Sequence, residues 1–212
     1  MTPRWHARPR SIRIEGYAIV SLDGMIADRN GHMPDALRID ADQRFYAASL
    51  DAASAVAHGR YSHEQHPHSQ GRRRLILTRK VAAIEPDASN PLAVLWNPAG
   101  YPFVQACISM GLTGGVLAVL GGTEVFGEFL AIGYDAFHLS RAARVRLPGG
   151  RPVFPRAGAQ TPEDVLTRHG LSPGPVQVLD RHAGVTLVTW RSLDCAERTQ
   201  DEGKGENSPP TC

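Results

Sequence analysis

The sequence has few cysteines, no long apolar run and almost no excess of charge. Its three cysteines, Cys107, Cys195 and Cys212, are odd in number and lack metal-ligand spacing, which argues against both a disulfide framework and a zinc site. No apolar stretch approaches the roughly 20 residues that span a bilayer. The formal net charge of +2 favours neither nucleic acid nor a membrane surface as a partner. These absences favour a protein of the reducing cytoplasm.

The two ends of the 212-residue chain differ in composition from its middle. Four arginines precede Ile14 with no apolar segment behind them, so this stretch lacks the pattern of a secretory signal. The end that follows Cys195 has almost nothing apolar to bury. The sequence therefore predicts a flexible basic arm over residues 1–12, one domain over 13–192 and a disordered tail over 193–212.

Between the ends, apolar strands alternate with helical patterns, which is typical of an α/β fold with a mostly parallel sheet. The predicted strands cover residues 16–21, 53–58, 75–78, 93–95, 116–120 and 136–140. Helical spacing of apolar residues predicts helices over 42–51 and 101–112. Two β-rich arms, 176–179 and 185–190, predict a C-terminal antiparallel hairpin.

Two adjacent glycines, Gly121 and Gly122, separate a buried strand from a helical pattern. Apolar residues among 125–130 fall on one face of that helix, with Thr123 as its predicted N-cap. A helix N-terminus offers unpaired N–H groups and a positive dipole end, and the glycines leave that surface without side chains. The pattern indicates either an anion site or a plain tight turn, and spacing alone does not decide between them.

Three further stretches give the glycine pair a context. They are SLDGMIAD at 21–28, GRYS at 59–62 and LILTR at 75–79. In this order they resemble the dihydrofolate reductase-like superfamily, and most of all the reductase domain at the C-terminal end of the bacterial riboflavin-synthesis deaminase-reductase. The segment YDAFHLSRAARVRLPGGRPVFP at 134–155 matches the same group, and the similarity spans about 14–190. The resemblance implies a three-layer α/β fold, in which a mostly parallel sheet lies between helices on both faces and ends in a C-terminal antiparallel hairpin.

The resemblance also implies that NADPH binds along the carboxyl ends of the strands, where ligands of open α/β sheets lie. The implied cofactor contacts are Gly59, Arg60, Ser62, Thr78, Arg79, Gly121, Gly122, Thr123, Glu124 and Val125. Arg79 would meet the 2′-phosphate of the adenosine, because a guanidinium supplies both charge and matched hydrogen bonds. The alternative for Arg79 is a solvated surface, since it continues a basic run.

Hydride transfer to a C=N or C=O group also needs a proton source, for which the candidates are Asp23, Asp35, Asp40 and Asp42. Of these four we select Asp23 and Asp42. In dihydrofolate reductases a carboxylate near the start of the helix before the GR motif holds the pterin ring, and Asp42 lies in about that place. Asp23 has an alternative role in a turn before glycine, and Asp42 an alternative role as an acidic residue at a helix start. Because polar residues surround Asp42 in the sequence, we expect a solvated carboxylate without a raised pKa, and therefore weak reduction of dihydrofolate.

The stretch after the GR motif, HEQHPHSQGRRR, departs from riboflavin-type reductases, which typically carry two aspartates and a proline there. Its histidines, His63, His66 and His68, fit no standard ligand spacing, so no metal site is expected. We expect a cytoplasmic, homodimeric, NADPH-dependent reductase of a small heterocyclic or carbonyl substrate. Such an enzyme would be similar to the 5-amino-6-(5-phosphoribosylamino)uracil reductase of riboflavin biosynthesis. The alternatives are a dihydrofolate reductase and a non-catalytic nucleotide-binding module on the same fold.

Overall fold

The structure is a computed structural model that describes residues 9–61, 71–155 and 160–193. The strands are β1 (Ile12–Ser21), β2 (Met25–Ala27), β3 (Ala55–Gly59), β4 (Arg74–Leu77), β5 (Ile84–Pro86), β6 (Ala93–Trp96), β7 (Gly115–Val119), β8 (Ala136–Ala142), β9 (Arg151–Pro152), β10 (Leu171–Asp180) and β11 (Val185–Ser192). The helices are α1 (Asp40–Asp51), α2 (Phe103–Ser109), α3 (Thr123–Ile132) and α4 (Pro162–Arg168). A 3-10 turn covers Asp35–Leu37.

Nine of the described strands form one sheet in the order β10-β11-β8-β1-β7-β3-β4-β6-β5. All neighbours from β8 across to β6 run parallel. The strands β5, β11 and β10 join antiparallel at the two sides, and β2 pairs with β9 separately. The mostly parallel sheet and the C-terminal antiparallel hairpin are thereby confirmed.

Helices cover both faces of the sheet, which gives the three layers that were expected. On one face, Leu50 of α1 packs with Tyr17 and Val56. On the other face, α2, α3 and α4 share one core, in which the rings of Phe103 and Phe129 meet edge to face at 5.6 Å. Because both faces are covered, the central strands are rich in apolar residues, and this is why they could be recognised in the sequence.

The helix limits depend on local signals. The helix predicted over 101–112 is shorter, because Pro102 is its N-cap and Gly111 follows it with a φ of 68°. The sequence prediction missed α4, although its start carries a capping box: the Thr161 hydroxyl accepts from the Asp164 amide, and the Asp164 carboxylate accepts from the Thr161 amide.

The prediction that Thr123 is the N-cap of α3 is wrong. Gly122 occupies the N-cap position and Thr123 is the first helical residue. The Thr123 hydroxyl donates to the carbonyl of Pro152 at 2.5 Å, so it ties β9 to the start of α3. The cap carries no side chain, which leaves the helix N-terminus open to a ligand.

The expected domain limits can be compared with the first strand and with the described residues. β1 begins at Ile12, the last residue assigned to the arm, while residues 1–8 and 194–212 lie outside the described residues. Cys107 is buried on α2 and is a free thiol. Within the described ranges, no helix is both long and apolar enough to cross a membrane.

Candidate active site

A cleft of about 640 Å³ opens between α1 and the sheet. Side chains of β1 and β8 form its floor, residues of α1 form one wall, and the loop after β2 forms another. His58 at the end of β3 and Gly122 at the start of α3 lie at its far end. The cleft thus lies at the carboxyl ends of parallel strands, where the ligands of such sheets bind.

Asp42 projects from α1 into this cleft and is buried, with 6% of its surface exposed. Burial raises the pKa of its carboxyl, against the lowering effect of a hydrogen bond with the Ser140 side chain. The expectation of a solvated Asp42 is therefore wrong. Its polar sequence neighbours Asp40 and Arg44 are exposed, so they do not share its surroundings. The expectation of weak activity with dihydrofolate loses its basis with this correction.

The register of β1 and β8 explains why Ser140 meets Asp42. Ile19 lies opposite Ser140, and Tyr17 lies opposite His138. Because alternate residues of a strand share a face, these four side chains form two rows of the cleft floor. Asp42 therefore stands over the Ile19–Ser140 row.

Asp23 has a different role from the one expected. Its carboxylate accepts from the Ser21 hydroxyl at 2.6 Å and from the Leu147 amide at 3.0 Å. Burial acts to raise its pKa, but these hydrogen bonds hold the pKa of Asp23 below its ordinary value. The described residues that line the cleft do not include it. Asp23 fixes the turn between β1 and β2, which is the structural alternative weighed from the sequence.

The two adjacent glycines differ in what they tolerate. Gly121 has a φ of 96°, and a Cβ there would lie 2.6 Å from the ring of Phe126. Gly122 faces the cleft, and a Cβ there would meet no atom within 4 Å. The peptide bond that joins them is cis. This bare surface at the N-terminus of α3 fits an anionic group.

Four further cofactor candidates, Gly59, Arg60, Thr78 and Arg79, lie at or just after the ends of β3 and β4. The Gly59 amide donates to the Gly121 carbonyl at 3.0 Å, which joins the two turns. Arg60 and Arg79 follow the ends of these neighbouring strands and are exposed. Thr78 is buried, and its hydroxyl accepts from the Lys80 amide at 3.2 Å.

Glu124 and Val125 follow Thr123 on the first turn of α3. Glu124 is exposed, whereas the Val125 side chain packs in the core and leaves only its backbone to a ligand. Ser62 and the histidines at 63, 66 and 68 lie outside the described residues. In the part of the chain that the structure describes, no group of histidine, cysteine and acidic side chains is arranged to hold a metal ion.

Sequence analysis missed several residues of the cleft. Ser140 and His138 carried a signal, since each is a polar residue in an apolar strand buried on both faces. Tyr17 and Phe45 carried none, because aromatic residues in strands and helices most often belong to the core. His58 was not recognised as a cleft residue, because the GR motif that follows it gave the stronger functional signal.

No protein-family model and no curated protein matches the sequence. A dihydrofolate reductase from Enterococcus faecalis, complexed with NADP(H), superimposes with a TM-score of 0.58 over 86% of this chain and 97% of its own, at 15% identity. The chain has the dihydrofolate reductase-like fold.

Two other proteins share this dihydrofolate reductase-like fold, with similar TM-scores and similarly low sequence identity. A pyrimidine reductase-like protein from Corynebacterium diphtheriae gives a TM-score of 0.58 at 15% identity, over 84% of this chain and 91% of its own. A diaminohydroxyphosphoribosylaminopyrimidine deaminase/5-amino-6-(5-phosphoribosylamino)uracil reductase from Thermotoga maritima gives 0.55 at 19% identity, over 86% of this chain and 57% of its own. These identities establish the fold.

Proposed function

We propose that the protein is an NADPH-dependent reductase of a C=N bond that lies in a small heterocycle or joins the heterocycle to a substituent. The observation that carries this proposal is the buried carboxyl of Asp42, which faces the same cleft as the bare Gly122 surface at the start of α3. Reduction of a C=N bond adds a hydride to carbon and a proton to nitrogen. The Gly122 end of the cleft can hold the hydride donor, and the Asp42 carboxyl can supply the proton.

The residues present fit NADPH at the Gly122 end. Bound NADPH supplies the hydride. The amides at the start of α3 would hold its pyrophosphate, since the open space over Gly122 admits a phosphate close to the backbone. Arg60 and Arg79, exposed at the ends of neighbouring strands, would hold the 2′-phosphate. The E. faecalis protein of the same fold was solved with NADP(H), which supports this assignment.

Asp42 would hold the substrate and supply its proton. Its raised pKa keeps a proton on the carboxyl to a higher pH than for an exposed aspartate, so an Oδ–H is available beside a ring nitrogen. The hydrogen bond with Ser140 fixes the orientation of the carboxyl. A protonated carboxyl donates from one oxygen and accepts at the other, so it pairs with a ring nitrogen and an adjacent exocyclic N–H group better than with an isolated carbonyl. This favours pterins and aminopyrimidines over simple carbonyl compounds.

Dihydrofolate is a second candidate substrate, because burial of Asp42 supplies the raised pKa that its reduction needs. The test is NADPH oxidation with a panel of dihydrofolate, 5-amino-6-(5-phosphoribosylamino)uracil and simple carbonyl compounds. The proposal expects turnover with at least one of the two heterocycles. NADPH binding without oxidation by any of them would instead favour a non-catalytic nucleotide-binding module.

Replacement of Arg79 by Ala is expected to weaken NADPH binding far more than NADH binding. A charge-assisted pair with the 2′-phosphate contributes on the order of 1.5–3 kcal/mol, so the wild type should prefer NADPH by roughly ten-fold or more. Fluorescence titration of both cofactors measures this preference. Equal losses for NADPH and NADH would show that Arg79 is part of a solvated surface.

We also infer that the protein is a homodimer that pairs through β10, the outer strand of the C-terminal hairpin. The inner strand β11 is not available, because its residues Val185, Leu187 and Trp190 are buried in the chain's own core. Val176 and Val178 of β10, at one side of the sheet, are 66% and 54% exposed. Such an exposed apolar patch on the outermost strand is suited to packing against a second copy.

Light scattering at micromolar concentration should give twice the 23.0 kDa mass of one chain. Val178→Lys should shift the protein toward the monomer, because a charge would be buried between the copies. Ile108→Lys is the matched control, since Ile108 is a similarly exposed apolar residue on α2. A monomeric mass for the wild type would refute the dimer.

A further inference from the structure

A second polar network lies on the cleft floor, one row away from Asp42. His138 precedes Ser140 by two residues on β8, so both side chains stand on the same face of the sheet. Tyr17 of β1 lies opposite His138. The proposed reaction does not use either residue, although both line the cleft.

Glu15 fixes the two rings of this network. The Tyr17 hydroxyl donates to Glu15 Oε2 at 2.7 Å, and His138 Nε2 lies 3.4 Å from the same oxygen. Burial acts to raise the pKa of Glu15, but the hydrogen bonds from His138 and Tyr17 hold it at about 2. Because an ionised carboxylate only accepts hydrogen bonds, Nε2 of His138 carries a proton. The other ring nitrogen lies 3.1 Å from the Thr189 hydroxyl, so the protein engages both nitrogens.

The fixed rings support α1. Tyr17 and His138 stack at 4.6 Å with 14° between their planes. Phe45 of α1 packs on both, at 5.5 Å and 57° from His138 and at 6.3 Å and 46° from Tyr17. Phe45 follows Asp42 by three residues and therefore shares its face of the helix. One turn of α1 rests on the ring pair while the preceding turn brings Asp42 to Ser140.

The spacing on the helix comes within about 2 Å of the spacing on the strand. Three residues of an α-helix rise by roughly 4.5 Å, and two residues of a strand by roughly 6.6 Å. Phe45 over His138 and Asp42 over Ser140 therefore form two neighbouring contacts between the same two elements. Removal of the first contact would let α1 move away from the sheet at the second.

We propose that His138, held by Glu15 and stacked on Tyr17, is a positioning residue that sets how deeply Asp42 enters the cleft. It acts through Phe45 and the seating of α1, and not by contact with the reacting atoms. This inference rests on the proposed role of Asp42 in the reaction. Its consequence is that loss of the His138 ring admits water to Asp42 and lowers the pKa of that carboxyl toward its ordinary value.

The sign of the change in the pKa of Asp42 on loss of His138 distinguishes a positioning role from a direct electrostatic effect. The ionisable groups that line the cleft with Asp42 are His32, Arg38, His58 and His138, together with tyrosine hydroxyls. Loss of a histidine removes a positive charge or leaves the charge unchanged, so through space it raises the pKa of Asp42 or leaves it as it was. Positioning predicts the opposite sign.

The test is a carbon NMR titration of the apo protein with labelled aspartate carboxyls, in which Asp42→Asn identifies the Asp42 signal. His138→Ala should lower the pKa of Asp42 by about 0.5 or more. His138→Phe, which keeps a stacked ring, should retain the wild-type value more closely. His169→Ala is the matched control, because His169 is exposed beyond the end of α4, and it should leave the pKa of Asp42 unchanged.

An unchanged or raised pKa of Asp42 in His138→Ala, or equal values in His138→Ala and His138→Phe, would overturn the positioning role and leave the proposed reaction intact. An ordinary pKa of Asp42 in the wild type would contradict both. Should His138→Ala fail to fold, Phe45→Leu removes the ring from the helix side of the same contact. It should also lower the pKa of Asp42, and an unchanged value there would overturn the proposal.

Discussion

Replacement of Asp42 by Asn is expected to lower kcat by roughly 10²–10⁴-fold, the usual contribution of a general acid. The amide keeps the size of the carboxyl but has no acidic proton to give. NADPH affinity should not change, because Asp42 lies on α1 and the cofactor residues lie at the start of α3 and the ends of β3 and β4. The measurement is steady-state kinetics with whichever heterocycle the wild type reduces.

The pH dependence gives this prediction a sign. If the protonated carboxyl is the reactive form, kcat/KM is highest at low pH and falls as pH rises through the raised pKa of Asp42. Asp42→Asn should lose this inflection. The exposed Asp40, on the same helix, provides the matched control Asp40→Asn, which should keep both the rate and the pH profile. If Asp42→Asn keeps the wild-type rate, Asp42 is not the proton donor of the reaction.

A loss of stability would not explain a slow Asp42→Asn variant. A carboxyl whose folded-state pKa is raised contributes stability in its protonated form, and that contribution is lost as pH rises through the folded-state pKa. Above that pH the wild type carries a buried negative charge that Asn lacks. Above the folded-state pKa of Asp42, the free energy of unfolding of Asp42→Asn should therefore equal or exceed that of the wild type.

Gly122→Asp is expected to abolish NADPH binding while the protein still folds. A side chain at Gly122 meets no protein atom within 4 Å, and its φ of −73° is open to any residue, so folding is not impaired. The new carboxylate would occupy the space over the α3 N-terminus and repel a phosphate there. Cofactor titration measures the loss, and circular dichroism checks the fold.

Two variants isolate the cause of this loss. Gly71→Asp adds the same charge where a side chain also meets nothing within 4 Å, beside the amino end of β4, and should bind NADPH normally. Gly121→Ala should instead destabilise the fold, because its φ of 96° disfavours a side chain and its Cβ would approach Phe126. Normal NADPH affinity in Gly122→Asp would make the glycine pair a plain turn.

Much of the fold could be predicted from the sequence, because the central strands are buried on both faces and therefore read as short apolar runs. Strands of two or three residues, such as β9 and β5, give no such run and were missed. Thr161 and Asp164 did carry the capping signal of α4, so this helix could have been found.

The candidate site was harder to predict than the fold. The glycine pair could be recognised because adjacent glycines between a strand and a helix indicate a tight turn or a surface without side chains. The burial of Asp42 could not be predicted, because its partner Ser140 lies almost one hundred residues further along the chain. Helical periodicity tells which residues share a face, but not which polar residue on that face meets a partner from another strand.

A crystal structure of the complex with NADPH tests the central claim most directly. The account predicts that the phosphates lie against Gly122 and the start of α3, with the nicotinamide in the cleft and the Asp42 carboxyl facing the space beside it. NADPH bound elsewhere, or a nicotinamide that faces a different carboxylate while Asp42 stays covered, would contradict the account.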